Sequence, residues 1–308
     1  MNPITFEQAI IGFDLAAAAR QLSQNTLNDY HTTFRKFVKY IGDVPFAKIT
    51  VEQVRTFMSQ QTVSRKTLLN YHTGLSALWT WAVRDKLAPR HILHQVERPK
   101  PEQPAIVEFS KDDVEKLLEH CGKTNAYTRR NKKESAHSLT KYSSRNRAII
   151  LLLLDTGLRV SEICSLSISD VDLRNQQLRV WGKGRKERMI PFSARTGQAL
   201  WKYLATRAND RADAPLFSST ATGDKMLRTS INLMLTRLAH RAGVSDCNPH
   251  RFRHTFAINY LRNGGDIYSL QRTLGHADLN TVKTYLAIAE ADIVQAHRKA
   301  SPVDNWRL

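Results

Sequence analysis

The sequence predicts a mainly α-helical protein of two domains, the second an α+β domain with a small β-hairpin. Apolar residues recur at helical spacing through the first hundred residues. A run with three prolines, R-P-K-P-E-Q-P at 98–104, marks an extended linker. Two short β-prone runs flank a glycine-containing turn further on. The predicted domains are residues 1–98 and 106–308, joined by a linker at 99–105, and the second domain ends in a tail at 286–308.

Composition narrows the class of protein. The 308 residues are 42% hydrophobic, but the longest apolar run, 148–154, is far shorter than the roughly 20 residues of a membrane span. Three cysteines without paired spacing argue against a disulfide framework or a zinc site and suit a reducing cytosol, so we expect a cytoplasmic protein. The net charge of +18 indicates a polyanionic partner, of which DNA or RNA is the usual kind and an anionic membrane surface a weaker alternative.

The first domain is predicted to be a helical bundle. Four helices are expected, at 5–22, at 23–40, at a segment that starts with Thr50, and at 64–86. A short fifth helix is expected at 89–96. Cations, hydroxyls and amides share the polar faces of the second and fourth helices, which suits phosphate and base-edge contacts, although a merely solvated face is the alternative. The candidate DNA-binding cations here are Arg35, Lys36, Lys39, Arg65 and Lys66.

The second domain begins with a helix capped by Ser110 and reaches a buried helix at 145–155. Between them, residues 122–144 read as a long polar loop that is strongly basic. A loop of this length is usually functional or disordered, and we favour a DNA-contacting insertion. Its candidate DNA-binding residues are Arg129, Arg130, Lys132 and Lys133.

A first motif, T-G-L-R-V-S-E, follows the buried helix and contains Arg159 and Glu162. Three positions apart, the carboxylate can orient the guanidinium through a charge-assisted hydrogen bond. Strands at 177–181 and 188–192 then form a hairpin whose turn, G-K-G-R-K-E, contains Lys183 and Lys186. Helices are predicted at 194–208 and 228–242.

A second motif, N-P-H-R-F-R-H, opens the last helical stretch, with Asn248 as the cap. His250, Arg253 and His254 fall on one helical face. Asp266 caps the next helix, Gly275 ends it, and L-G-H-A-D and T-V-K-T-Y follow, with His276 and Tyr285. Taken singly, each of these side chains is more often a solvated or core residue than a functional one. The order of the parts is what points to chemistry.

Together, T-G-L-R-x-x-E, G-K-G-x-K-E-R, H-x-x-R, L-G-H and the downstream Tyr resemble the tyrosine recombinases, the phage-integrase and Xer-like family. The resemblance is firm over about 106–290 and loose over 1–100, where it implies a SAM-like core-binding bundle. It implies a catalytic domain whose reactive residues, with Glu162 in support, are Arg159, Lys183, His250, Arg253, His276 and Tyr285.

These residue types fit reversible breakage of a DNA strand. A Tyr phenol can attack phosphorus and later leave, which stores the phosphodiester energy in a covalent 3′-phosphotyrosine. Arginine forks suit the non-bridging oxygens, and a mobile Lys183 suits protonation of the leaving 5′ oxygen, so no metal or other cofactor is expected. The resemblance implies integration, excision or resolution by a tetramer on double-stranded DNA with paired inverted half-sites.

Three other readings stay open. A type IB topoisomerase uses the same Arg, Lys, His and Tyr chemistry, and a non-cutting DNA-binding relative would share the fold. A zinc protein using His250, His254 and His276 would lack Cys or acidic partners at ligand spacing.

The apolar stripe of the tail is short enough to need a surface to pack on, either its own domain or, as we favour, a neighbouring subunit.

Overall fold

The computed structural model divides into two compact units, an N-terminal unit (Met1–Pro104) and a C-terminal unit (Ala105–Leu308). It is mainly helical with a small three-stranded sheet, which confirms the predicted fold class. None of the described helices is both long and apolar enough to cross a membrane. The residues that the structure describes are 3–101, 106–122, 127–128, 135–136, 142–182, 187–207, 210–219, 223–275, 282, 284–286, 301 and 303.

The described part of the N-terminal unit contains four α-helices, and the hydroxyl group of the residue before each helix accepts a hydrogen bond from a backbone N–H of its first turn. Their bounds are α1 Phe6–Ala19, α2 Gln24–Ile41, α3 Val51–Ser59 and α4 Arg65–Arg84. Aromatic rings fill the centre, where Phe46 stands 4.7 Å from Trp79 between ring centroids. The helix expected at 89–96 is wrong in type. Only a 3₁₀ turn at Ile92–Gln95 forms, because the chain bends there to bury Ile92 and Leu93.

The C-terminal unit contains seven α-helices among its described residues, which are α5 Lys111–His120, α6 Ser143–Thr156, α7 Val160–Ser165, α8 Ala194–Ala205, α9 Arg228–Ala242, α10 Pro249–Arg262 and α11 Ile267–Leu274. Helix α6 lies at the core, with Ile149, Ile150 and Leu153 fully buried. The described helices follow the expected order, because their caps at Ser110, Asn248 and Asp266 are local signals.

The described strands of this unit form two antiparallel sheets. In the region predicted as a polar loop, β1 (Tyr127–Thr128) pairs with β2 (Ser135–Ala136), which sequence reasoning missed. The three-stranded sheet has the order β3-β4-β5, formed by β3 Val171–Asp172, β4 Gln177–Trp181 and β5 Glu187–Pro191. The predicted hairpin is therefore present, with Leu178 opposite Ile190 and both side chains buried in the core.

Candidate active site

The turn between α6 and α7 positions Arg159. Helix α6 ends at Thr156 and is capped by Gly157, whose φ of +60° is readily adopted only by glycine. A Cβ at this position would collide with Phe256 Cδ1. Arg159 then caps α7, and its backbone N–H donates to Glu162 Oε2 at 2.8 Å. Its Nη1 donates to Glu162 Oε1 at 3.3 Å. The carboxylate side chain is 7% exposed and the guanidinium side chain 39%, so a buried anion orients a partly open cation.

Arg253 is the buried counterpart of Arg159, with 3% of its surface exposed. Its Nη1 donates to Gly157 O and its Nη2 to Leu274 O, both at 2.7 Å. Arg159 Nη1 donates to the same Leu274 carbonyl at 3.3 Å. These carbonyls lie at the ends of α6 and α11, where unsatisfied acceptors and the negative end of the helix dipole favour cations. Two helix ends thus hold both arginines together.

Burial and the positive charge of Arg159 lower the pKa of Arg253 to about 10. Glu162 and Tyr285 oppose this shift. Arg253 therefore remains protonated at neutral pH, as a fixed and largely desolvated cation. Such a group interacts strongly with an anion and needs little reorganisation to do so.

Arg188 is a third arginine of the cluster, and sequence reasoning missed it. From β5, its Nη2 donates to Glu162 Oε1 at 3.0 Å and its Nε donates to Thr273 O at 3.2 Å. A Cβ on Gly275 would lie 3.0 Å from the Arg188 Cζ, so glycine lets this side chain approach the end of α11. Its sequence signal is the final Arg of the G-K-G-x-K-E-R motif, in which only Lys183 and Lys186 were predicted to be site residues.

Tyr285 is 3% exposed and packs against apolar residues of α10 and α11. Its hydroxyl lies 2.9 Å from His254 Nδ1. Burial raises the pKa of the phenol, and the charges of Arg253 and Arg159 act against that rise. Among the described residues, the histidine that contacts the phenol is thus His254, which was not in the predicted catalytic set. His250 is exposed one turn earlier, with its ring centroid 6.2 Å from that of His254.

Other predicted site residues divide into two groups. The five cations of the N-terminal unit are exposed on α2 and α4, and Lys36 Nζ lies 5.4 Å from the Tyr71 ring centroid. Seven predicted residues lie outside the described residues: Arg129, Arg130, Lys132, Lys133, Lys183, Lys186 and His276. Within the described ranges, no three His, Cys, Asp or Glu side chains are grouped so as to hold a metal ion.

The sequence is similar to known protein families and to proteins of known function. Residues 108–292 match the phage integrase family and residues 14–97 the phage integrase SAM-like domain. The chain is 31% identical over 291 residues to tyrosine recombinase XerC of Pelobacter propionicus, covering 92% of this chain and 91% of that protein. It is 30% identical over 304 residues to tyrosine recombinase XerD of Oceanobacillus iheyensis, covering 94% and 96%.

A solved structure of the XerH site-specific recombinase bound to difH substrate, a pre-cleavage complex, is also similar. Its TM-score is 0.65 at 25% identity, over 91% of this chain and 80% of that one. The chain belongs to the phage integrase family of tyrosine recombinases. The resemblance read from the sequence motifs is confirmed.

Proposed function

We propose that this protein is a site-specific recombinase that cuts and rejoins DNA strands through a covalent 3′-phosphotyrosine on Tyr285. The observation that carries the proposal is the sharing of the Leu274 carbonyl by Arg159 and Arg253, with both charges acting on the Tyr285 phenol. These contacts support the proposal, because a phenol that attacks phosphate needs guanidinium groups close to it. Membership of the recombinase family favours this reading over a type IB topoisomerase or a non-cutting relative.

The two arginines have complementary roles in the proposed reaction. The oxygens of the reacting phosphoryl group carry more negative charge in the transition state than in the ground state, so preorganised donors lower the barrier. Arg253 supplies a fixed, buried charge, and Arg159, which is partly exposed, supplies a fork that a phosphate oxygen can reach. Glu162 keeps Arg159 and Arg188 oriented.

The remaining catalytic assignments follow the sequence motifs. Lys183 gives a proton to the leaving 5′ oxygen, and His250 and His276 donate to phosphate oxygens. These cations take the part that a metal ion plays in other phosphoryl-transfer enzymes, so the reaction proceeds without one. Residues 1–98 bind core DNA through the exposed cations of α2 and α4, and residues 106–308 form the catalytic domain.

Covalent trapping tests the function. On a nicked suicide substrate the wild type accumulates a protein–DNA adduct, because the short cleaved product diffuses away and cannot be rejoined. Tyr285→Phe removes only the phenolic oxygen, so we expect no adduct but a retained gel shift. An adduct of normal yield from the Phe variant would show that another residue attacks the phosphate.

The proposed assembly is a tetramer on paired inverted half-sites, with the tail, residues 286–308, docked in a neighbouring subunit. Support comes from its short apolar stripe, which needs a packing surface. Deleting residues 287–308 should leave binding to one half-site largely intact and sharply reduce recombination of paired sites. If the truncated protein forms full synaptic complexes at wild-type concentrations, measured by native gel, the tail packs on its own domain.

A further inference from the structure

The hydrogen-bond partner of Tyr285 is the feature that the family motifs leave unexplained. A buried phenolic O–H requires a partner, and here the hydroxyl lies 2.9 Å from His254 Nδ1. The two ring centroids are 5.5 Å apart with a tilt of 54°. The nucleophilic oxygen is thus in direct contact with an imidazole nitrogen, the most versatile proton acceptor among side chains.

Position on α10 separates His254 from its neighbours. Successive residues of a helix point about 100° apart. Arg253 therefore reaches the carbonyls of Gly157 and Leu274, while His254, next in sequence, faces Tyr285. His250, one turn earlier, is exposed and stacks on the side of His254. Two histidines of one face thus occupy different surroundings, one open to solvent and one against the phenol.

The charges around this pair keep His254 neutral before the reaction and stabilise a phenolate on Tyr285. Burial, then His250, then Arg253 lower the pKa of His254 below its usual value, so the ring is neutral at pH 7 and can accept a proton. Burial raises the pKa of the phenol, and the positive charges of Arg253 and Arg159 oppose that rise by favouring phenolate. As the proton moves onto the imidazole, the arginines stabilise the oxygen that it leaves.

We propose that His254 is a catalytic residue that receives the phenolic proton of Tyr285 as the phenol attacks the DNA phosphate, an inference that rests on the proposed function. With the ring proton on Nε2, the Nδ1 lone pair takes the hydrogen of the phenol. The Tyr285 oxygen–phosphorus bond forms, the phosphorus–O5′ bond breaks, and the general acid protonates the 5′ oxygen. In rejoining, the 5′ hydroxyl returns its proton to the general acid as it attacks the phosphorus, the bond from phosphorus to Tyr285 breaks, and His254 returns its proton to the phenolic oxygen.

A different role would make opposite predictions. The phenol is buried, so the same hydrogen bond would equally suit a latch that holds Tyr285 away from DNA. A latch slows cleavage, and its removal accelerates the reaction or leaves it unchanged. A proton acceptor speeds cleavage and imposes its own ionisation on the pH profile. Rate and pH dependence therefore distinguish the two roles.

The decisive variant is His254→Asn. Asparagine places an amide oxygen near the position of Nδ1, so it can accept a hydrogen bond from Tyr285 but cannot take its proton. We expect cleavage of a suicide substrate to fall about 10²–10⁴-fold, with binding in gel shift and the melting temperature near those of wild type. The matched control, His240→Asn, changes an exposed histidine of α9 and should cleave at the wild-type rate.

The pH profile separates proton transfer from positioning. Wild-type cleavage should be constant around neutral pH and fall as pH drops below the lowered pKa of His254, since the protonated ring cannot accept. In His254→Asn this inflection should vanish, and the rate should keep rising towards the pKa of the phenol. A substrate with sulfur in place of the bridging 5′ oxygen needs no general acid, so it should leave the His254→Asn defect undiminished.

The outcomes are distinct. If Tyr285→Phe still forms adducts, the proposed function fails. If Tyr285→Phe is inactive and His254→Asn cleaves within tenfold of wild type or faster, with the inflection retained, only the role of His254 fails. If the His254 variant does not fold, the wild-type profile on the sulfur substrate decides, because a rate that stays constant down to the lowest pH at which the protein remains folded would exclude an imidazole acceptor.

Discussion

The two units use positive charge in different ways. In the N-terminal unit, the cations of α2 and α4 are exposed and stand on helix surfaces. In the C-terminal unit, Arg253 and Arg188 are largely buried, and backbone carbonyls or Glu162 fix each guanidinium. Exposed cations attract phosphate through counterion release, which is strong but tolerant of position. Fixed cations stabilise one geometry, so the first arrangement suits DNA affinity and the second suits chemistry.

The largest expected effect comes from Arg253→Lys. A lysine keeps the charge but cannot donate to the Gly157 and Leu274 carbonyls as a planar fork does. Loss of one preorganised donor typically costs about 10²–10³-fold, so we expect at least that loss in adduct formation. The buried ammonium should also lower the melting temperature. Cleavage within about tenfold of wild type, roughly 1.4 kcal/mol, would indicate a merely structural arginine.

Arg159→Lys sharpens the contrast between the arginines. Arg159 is partly exposed, and a lysine there can remain solvated beside Glu162. Adduct formation should again fall by about 10²-fold or more, but the melting temperature should stay close to wild type. Equal losses of stability in both lysine variants would contradict the distinction between a buried and an open fork.

The next largest effect on stability and cleavage is expected from Gly157→Ala. An added Cβ would be strained at φ +60°, would collide with Phe256 and would lie 2.9 Å from Leu274 Cδ2, displacing the carbonyl that holds Arg253. Gly243 provides the matched control, because its φ is +66° but nothing lies within 4 Å of an added Cβ. By chemical denaturation, Gly243→Ala should lose about 1 kcal/mol and Gly157→Ala clearly more. Only Gly157→Ala should slow cleavage, and similar results for both would mean that backbone strain alone matters.

The smallest effects are expected in the N-terminal unit. Arg35→Ala or Lys39→Ala removes one exposed cation from α2. Each should weaken DNA binding modestly and reduce the slope of log K against log salt by about 1, as measured by fluorescence anisotropy. Cleavage at saturating DNA should not change. A large cleavage defect at saturation would show that these cations do more than provide affinity.

Local chemistry explains why the sequence predicted so much of the fold. The caps of α5, α10 and α11 are hydrogen bonds between residues two or three positions apart, so Ser110, Asn248 and Asp266 mark helix starts without tertiary information. The pairing of Arg159 with Glu162 follows from the same short spacing. Glycines at positive φ, such as Gly275, end helices for a reason that is equally local.

Contacts between residues far apart in the sequence bring these elements together. The Leu274 carbonyl receives hydrogen bonds from Arg159, 115 residues away, and from Arg253, 21 residues away. Arg188 reaches Thr273 across 85 residues, and His254 reaches Tyr285 across 31. Such contacts depend on how α6, α10, α11 and β5 pack, because side-chain direction on a helix has meaning only once its neighbours are placed. The sequence therefore determined the helices, the strands and the candidate site residues. The packing of these elements determined that Arg253 is the more buried arginine and that His254 contacts the Tyr285 phenol.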